Sequence, residues 1–323
     1  MRIRPLDTAR DFPALAALLA VRDPEPPTPE LLREWEGNAP SRLVRQRLVA
    51  FDDELGEAGS DSEAMVGFAD AASWPWEPPH QFWISTVVAP DHRRRGLGTQ
   101  LADAVLAFAR EQGATRLAAE VRDNASEGLR FAERYGFRKD RHIFESRLHL
   151  ADFDEQRFAG AVERAEAEGI LFLTLADLGD SDEARRRLYD LNAALVRDIP
   201  GHDGDFMPFE QFQKTVCSAS WYRPDGQIVA AVGGSWVGMA AVGYFANTNS
   251  MYNMFTGVDP AWRGKGIARA LKLLAIACAR RYSAIYISTN NDSENAPMLA
   301  INRTLGYQPE PGYYRMIREP AFG

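Results

Sequence analysis

The sequence predicts a mixed α/β (α+β) fold in which two tandem domains each hold a mostly antiparallel sheet flanked by helices. The main observation is a repeat: Val88–Phe137 returns as Val258–Tyr307 at a constant offset of 258 − 88 = 170 residues. A second observation is the length, because 323 residues are about twice the usual size of a domain. The repeat preserves residues whose backbone properties are hard to substitute, namely Pro90/Pro260, Arg93/Arg263, Gly96/Gly266 and Gly136/Gly306.

The boundary between the domains is predicted near residue 151. Residues 1–150 form the first domain and residues 151–323 the second. Residues 152–168 are charged, with Phe153, Phe158 and Val162 interspersed, which predicts a connecting helix rather than a flexible tether. The hydrophobic content of 46% is enough for a separate core in each half.

Both halves begin with a strand and a helix. Arg2–Leu6 predicts the first strand, and Asp11 is the expected cap of the following helix. In the second half, Ile170–Leu175 predicts a strand, and Asp180 with Glu183 has the spacing of a capping box. Residues 23–29 and 199–205 are rich in turn formers and helix breakers and are expected to be loops.

Three meander strands follow in each half, and then a helix and a buried strand. Gly233 and Gly234 predict a hairpin turn in the second meander. The predicted meander strands are Leu43–Phe51, Ala64–Ala71 and Gln81–Val88, and then Gln227–Val232, Ser235–Phe245 and Met251–Val258. The predicted helices are Leu97–Glu111 and Ile267–Arg281, and the buried strands are Thr115–Val121 and Ala284–Thr289.

The glycine-rich turn between strand and helix has the properties of an anion site. A helix N-terminus exposes unpaired backbone N–H groups at the positive end of its dipole, which suits a pyrophosphate. One isolated copy is more often an ordinary β-turn-α connection, and two copies in equivalent context favour the anion site. Neither copy has the G-x-x-x-x-G-K-[ST] or the G-x-G-x-x-G spacing, so the ATP-type and dinucleotide-type loops are excluded.

Composition narrows the classes of protein and partner. The net charge of −8 argues against nucleic acid as the main partner and favours a cationic or amine acceptor. Cys217 and Cys278 are too few for a disulfide framework, so a reducing cytoplasmic location fits best. No apolar run reaches the roughly 18 residues of a membrane span, so no membrane partner is expected.

The spacing of the repeated turn resembles the R/Q-x-x-G-x-G/A signature of the GCN5-related N-acetyltransferase (GNAT) family. Arg93, Gly96 and Gly98 match it, and so do Arg263, Gly266 and Ala268. The family's later segment, an Asn followed by a helix ending in L-G-F/Y, is also similar to Asn291 through Tyr307 and to Asn124 through Phe137. The resemblance covers nearly the whole chain as two tandem domains.

The resemblance implies acetyl-CoA (coenzyme A) as co-substrate, no metal, and direct transfer of the acetyl group to an amine of a small molecule or peptide. The oxyanion donor would be a backbone N–H at the end of the fourth strand of a domain. The sequence leaves a monomer and a homodimer equally open. The cofactor-binding residues that the resemblance implies are Val88, Arg93, Arg94, Arg95, Gly96, Leu97, Gly98, Thr99 and Asn124, and Val258, Arg263, Gly264, Lys265, Gly266, Ile267, Ala268, Arg269, Asn291 and Asn295.

The sequence matches the catalytic residues of the family less well than it matches the cofactor-binding residues. Glu120 sits where a similar E-V-R segment of ribosomal-protein alanine acetyltransferases carries the catalytic Glu, although a strand-end Glu paired with a neighbouring Arg is equally consistent. The equivalent residue of the second half, Asn290, cannot act as a base, so a water chain or a loop carboxylate would have to serve there; the candidate carboxylates are Asp203, Asp205 and Glu210. The family's acid Tyr is replaced by Ala132 and Asn302. The tyrosines that could substitute are Tyr252 and Tyr307.

The sequence leaves the assignment of roles to the two halves open. The second half keeps the family spacing of its Asn and Gly-Tyr segment better, which favours it as the catalytic half. A second class of function is an acetyl-CoA-binding or sensing module whose two degenerate domains are catalytically weak. A third is one catalytic half beside one structural half.

Overall fold

The computed structural model describes residues 1–52 and 64–322. The first half holds β1 (Arg2–Pro5), α1 (Phe12–Leu19), α2 (Pro29–Gly37), β2 (Val44–Phe51), β3 (Met65–Ser73), β4 (Gln81–Val88), α3 (Leu97–Glu111), β5 (Arg116–Arg122), α4 (Ser126–Arg134) and β6 (Arg138–His149). The second half holds α5 (Ala161–Ala167), β7 (Leu171–Thr174), α6 (Asp182–Leu195), α7 (Phe209–Phe212), β8 (Gln227–Val232), β9 (Ser235–Phe245), β10 (Ser250–Val258), α8 (Ile267–Arg281), β11 (Tyr286–Asp292), α9 (Ala296–Leu305), β12 (Gln308–Pro309) and β13 (Tyr313–Arg318).

The predicted mixed α/β fold is confirmed, and its repeat is preserved in the element boundaries. α3 and α8 begin at 97 and 267 and end at 111 and 281, so both boundaries differ by 170. β5 and β11 follow the same rule, with starts at 116 and 286 and ends at 122 and 292. Residues 170 positions apart in this region therefore occupy equivalent places in the two halves.

The chain divides into two compact units that each include a strand from the other half of the sequence. Unit 1 is Met1–Arg141, Asp203–Asp205 and Tyr313–Gly323, and unit 2 is His142–His202 and Phe206–Gly312. Unit 1 has the strand order β1-β2-β3-β4-β5-β13, in which β13 pairs antiparallel with β5. Unit 2 has the order β7-β8-β9-β10-β11-β6, in which β6 pairs antiparallel with β11. The final strand of each copy therefore completes the sheet of the other.

Each unit has a core on both faces of its sheet. In unit 1, α3 packs its buried Leu101 and Val105 against one face, and α1 packs Phe12 and Leu15 against the other. In unit 2, α8 packs on one face through Leu271, and α6 packs on the other through Leu188. Burial of apolar side chains on both faces stabilises the sheet and keeps β4 and β10 in place.

Several local predictions are corrected. Asp11 precedes α1, but its carboxylate accepts hydrogen bonds from the Asp7 N–H and the Arg4 guanidinium instead of capping the helix. The capping box is wrong, because the α6 cap is Ser181, whose hydroxyl accepts from the Ala184 N–H. The predicted long connecting helix is only α5, preceded by two short 3-10 turns.

The predicted hairpin turn of the second meander is confirmed. Gly233 and Gly234 both adopt positive φ angles between β8 and β9, as the predicted hairpin turn requires. Of the helices within residues 1–52 and 64–322, none combines the length and apolar character that crossing a membrane requires.

Candidate active site

The turn after β4 presents backbone N–H groups at the start of α3. Arg94 has φ 62° and Gly96 has φ 86°, both in the left-handed region. Gly96 is the N-cap of α3 and offers no side-chain cap, so the first-turn N–H groups of Leu97 and Gly98 have no capping oxygen. A Cβ on Gly96 would meet nothing within 4 Å, so its positive φ rather than lack of space favours glycine.

The end of β4 also carries unpaired backbone donors. Ala89 N–H donates to the Val66 carbonyl, and Gly67 lies opposite Val88 in the antiparallel ladder with β3. Because antiparallel pairs alternate, the N–H groups of Val88 and Thr86 point away from β3 and towards β5. The parallel ladder between β4 and β5 ends at the Trp83 pair, so β5 does not occupy these donors.

A cleft of about 760 Å³ opens in unit 1 where β4 and β5 diverge. Its lining includes seven of the predicted cofactor residues of the first half and places them beside Glu120. Small residues make the space, because Ala102, Ala119 and Ala132 line the cleft between α3, β5 and α4. The predicted residues that line it are Val88, Arg93, Arg94, Gly96, Gly98, Thr99 and Asn124, whereas Arg95 and Leu97 are not among its lining residues.

The cleft is basic in an acidic protein. Five arginines and two glutamates line it, while the whole chain carries a net charge of −8. The Arg93 Nε donates to the Val88 carbonyl at 3.1 Å, which fixes its guanidinium beside the end of β4. A cleft with excess positive charge and free amides at a helix N-terminus fits a polyphosphate.

Glu120 extends from β5 into this cleft, opposite Arg315 of β13 in the ladder. Its carboxylate reaches solvent, yet the surrounding protein raises its pKa through desolvation, with smaller opposing effects from Arg22 and Arg315. No described residue donates a hydrogen bond to it. An accessible carboxylate with a raised pKa has the properties of a general base.

A polar row crosses the sheet of unit 1 beside Glu120, and sequence reasoning missed it. Arg47 lies opposite Asp70, and Asp70 lies opposite Ser85. The Asp70 Oδ1 is buried without a hydrogen-bond partner among the described residues, and burial raises the pKa of this carboxyl to about 6. Arg22 donates to the Ser85 hydroxyl at 3.1 Å at the cleft wall. The signal for this row is the register of three strands, which a linear pattern does not contain.

Tyr135 is a second missed residue. Its hydroxyl donates to Asp103 at 2.7 Å, and burial together with this carboxylate raises the pKa of Tyr135 to about 12. This bond joins the end of α4 to α3 across the cleft. The Tyr135 hydroxyl proton is therefore directed at Asp103.

Unit 2 keeps the backbone of the turn. Gly264 and Gly266 both have φ 80°, and Gly266 is the N-cap of α8. The Arg263 Nε donates to the Val258 carbonyl at 3.0 Å, as Arg93 does in unit 1, but its Nη2 is bonded to Asp198. Lys265 lies 4.5 Å from the centre of the Trp262 ring, while Ile267 is buried and Arg269 is exposed.

The remaining predicted residues of unit 2 either form hydrogen bonds within the unit or lie far from the end of β10. The Asn295 side chain caps α9 by accepting from the Met298 N–H. The Asn291 amide is buried and bonded to Ser146 and Asn302. Tyr252 precedes Val258 by six residues along β10, about 20 Å at the rise of a strand, so it does not reach the end of that strand.

The loop carboxylates proposed for the second half divide between the units. Asp203 pairs with Arg116 at 2.6 Å, and the Asp205 N–H donates to the Trp76 carbonyl. Both acidic residues therefore belong to unit 1, while Glu210 lies in α7 of unit 2. Within residues 1–52 and 64–322, no three His, Cys, Asp or Glu side chains form a group that could hold a metal ion.

The fold and the cleft define an acyltransferase of the N-acetyltransferase type, and comparison with known proteins agrees. Residues 12–137 and 196–307 match the Acetyltransferase (GNAT) family, which covers most of the chain. The chain therefore belongs to the GNAT family and is an N-acetyltransferase with two tandem GNAT regions.

Two relatives and two solved structures illustrate the match. Mycothiol acetyltransferase of Acidothermus cellulolyticus is 28% identical over 77% of this chain and 74% of its own length. That of Saccharomonospora viridis is 27% identical over 94% and 93%. A tandem GNAT protein from the clavulanic acid biosynthesis pathway has a TM-score of 0.73 at 18% identity and covers 99% of this chain and 98% of its own. A GCN5-related N-acetyltransferase from Sphaerobacter thermophilus has a TM-score of 0.71 at 20% identity, with coverage of 99% and 95%.

Proposed function

We propose that the cleft of unit 1 transfers an acetyl group from acetyl-CoA to the amine of a small molecule or peptide. The observation that carries this proposal is the presence of the basic turn, the free Val88 N–H and Glu120 along one cleft of about 760 Å³. The better-preserved spacing in the second half had favoured unit 2. We choose unit 1 because its cleft is open and holds a carboxylate, whereas the cavity described for unit 2 is about 80 Å³ and lies elsewhere, beside Phe172 and Arg281.

The turn is the proposed pyrophosphate site. First-turn amides of α3 and the Arg93 and Arg94 side chains would supply hydrogen bonds and charge. The small side chains of Ala102, Ala119 and Ala132 leave room for a narrow pantetheine arm. Bound acetyl-CoA supplies an activated thioester carbonyl.

Two groups of the protein would take part in the reaction, one by stabilising negative charge and one by accepting a proton. The Val88 N–H, left free by β5, is the proposed donor to the oxyanion that develops when the amine attacks. Glu120 is the proposed base that removes a proton from the ammonium form of the acceptor. Its desolvation strengthens it as a base, because a raised pKa makes proton uptake more favourable.

A direct test measures free-thiol release from acetyl-CoA with a panel of amines. Amines related to mycothiol belong in the panel because the relatives carry that name, together with polyamines, aminoglycosides, amino acids and peptides. We expect acceptor-dependent release that is lost in Glu120→Gln. Binding of acetyl-CoA without thiol release for any acceptor would replace this proposal by an acetyl-CoA sensor.

A further inference from the structure

The two units differ at five positions that line the cleft of unit 1 and that lie between its strands and helices. In unit 1 these positions hold mainly small apolar side chains, and in unit 2 all five hold larger or more polar ones. The pairs at an offset of 170 are Ala102/Lys272, Ala119/Thr289, Val121/Asn291, Ala132/Asn302 and Phe137/Tyr307. We call the five residues of unit 2 the plug.

The first part of the plug closes the gap between two strands. The ladder of β10 and β11 ends at the Tyr252 pair, equivalent to the end of the β4 and β5 ladder in unit 1. Beyond it, the buried Thr289 hydroxyl donates to the Asn253 carbonyl at 2.9 Å. This bond crosses the space that stays open in unit 1, where Ala119 has no polar group to reach β4.

The second part fills the space between β11, α8 and α9. The Asn302 side chain donates to the Asn291 Oδ1 at 2.6 Å, and Asn291 donates to the Ser146 hydroxyl at 2.8 Å. Lys272 is 1% exposed, and its Nζ lies 5.2 Å from the centre of the Tyr307 ring. Side chains from two helices and two strands therefore meet where unit 1 has its cleft.

We infer that the plug closes unit 2 to acyl-CoA, so that the chain binds one acyl-CoA, in unit 1. This rests on the proposed function for unit 1. The turn of unit 2 keeps its backbone geometry, but its Arg263 is paired with Asp198 and the arm beyond a bound pyrophosphate would meet Asn302 and Lys272. The cofactor residues that the sequence predicted in unit 2 do not fit the cofactor, because side chains occupy its path.

The plug costs stability, so packing alone does not explain it. Burial lowers the pKa of Lys272 to about 7, and the Asn302 Oδ1 and Tyr307 hydroxyl are buried with no hydrogen-bond partner among the described residues. Each buried polar atom without a partner costs stability, because its hydrogen bonds to water are lost on folding and not replaced. An apolar filling would be more stable.

The test is calorimetric titration of the full-length protein with acetyl-CoA. We expect one site per chain, and no detectable site in Ala102→Lys/Ala132→Asn, which carries two plug residues into unit 1. The matched variant Lys272→Ala/Asn302→Ala should keep the unit 1 site. Two sites in the unaltered protein, or one that survives in Ala102→Lys/Ala132→Asn, would overturn the inference.

Hydrogen exchange of the unaltered protein covers the case in which the double variant fails to fold. Acetyl-CoA should protect amides at the start of α3 and leave those at the start of α8 unchanged; protection at α8 refutes the inference. If the unaltered protein binds no acetyl-CoA at all, the proposed function of unit 1 fails while the closed state of unit 2 stands, so the two failures are distinguishable.

Discussion

Unit 1 and unit 2 share a scaffold but differ in the side chains that surround its diverging strands. Their helix and strand boundaries repeat at 170 residues, and both turns place glycine at positive φ before a helix. The polar row of Arg47, Asp70 and Ser85 in unit 1 corresponds by strand register to Gln227, Ala241 and Phe255 in unit 2.

The two units keep the fold and the glycine turn while the side chains beyond the turn differ. In unit 2 the ring of Phe255 packs over Gly257, where a Cβ would come within 2.7 Å of it, so the face that is charged in unit 1 is apolar here. A motif in the turn therefore identifies the family, and we propose that a few side chains along the diverging strands decide which copy can react.

Removal of the proposed base, Glu120, tests whether unit 1 is the catalytic unit. Glu120→Gln should lower kcat by about 10²–10⁴-fold in thiol-release assays, because an amide cannot take the proton. Its matched control is Asn290→Ala, at the equivalent position of unit 2, which should retain kcat within a factor of two. If Asn290→Ala lost activity while Glu120→Gln kept the activity of the unaltered protein, the reaction would be assigned to unit 2.

The plug can be tested through stability. Because the pKa of Lys272 is lowered from 10.5 to about 7, the unfolded chain binds more protons between those values, and the free energy of unfolding should rise with pH over that range. Lys272→Met should remove this dependence and stabilise unit 2 at pH 7 by at most on the order of 5 kcal/mol. Chemical denaturation at pH 7 and 9.5 measures it, with the exposed Lys265→Met as control; equal pH slopes for Lys272→Met and the unaltered protein would contradict a buried amine.

The polar row of unit 1 should show the opposite pH dependence. Burial raises the pKa of Asp70 from 3.8 to about 6, so the folded state binds more protons in that interval and stability should fall as pH rises through it. Asp70→Asn should abolish this loss, which is at most on the order of 3 kcal/mol. Unfolding at pH 4.5 and 7 tests it against Asp91→Asn, an exposed carboxyl; an unchanged slope in Asp70→Asn would place the titration elsewhere.

The smallest expected effect compares the two arginines of the turns. Arg93→Ala should raise the KM for acetyl-CoA about 10-fold with little change in kcat, because a charge-assisted hydrogen bond to phosphate contributes on the order of 1.5 kcal/mol or more. Arg263→Ala should leave the KM unchanged, since Arg263 is paired with Asp198. Steady-state kinetics at low ionic strength measures both; equal increases in KM would mean that both turns bind the cofactor.

Local chemistry lets much of the fold be predicted from the sequence. Apolar periodicity marked α3 and α8 with their observed boundaries, and glycine with its access to positive φ marked both turns and the Gly233-Gly234 hairpin. The family followed from the spacing of the repeated turn, and Glu120 as the candidate base followed from the resemblance of its E-V-R segment to that of known acetyltransferases. These features depend on residues that are near one another in the chain.

Tertiary structure decided the rest, because it depends on residues far apart in sequence. The exchange of β6 and β13 and the bond from Asn291 to Ser146 join residues of both halves. The polar row of Asp70 and the bond from Asn302 to Asn291 join different elements within one half. The same family spacing occurs beside an open cleft in unit 1 and beside the plug residues in unit 2. Side-chain volume in three dimensions, which no linear motif encodes, makes that difference.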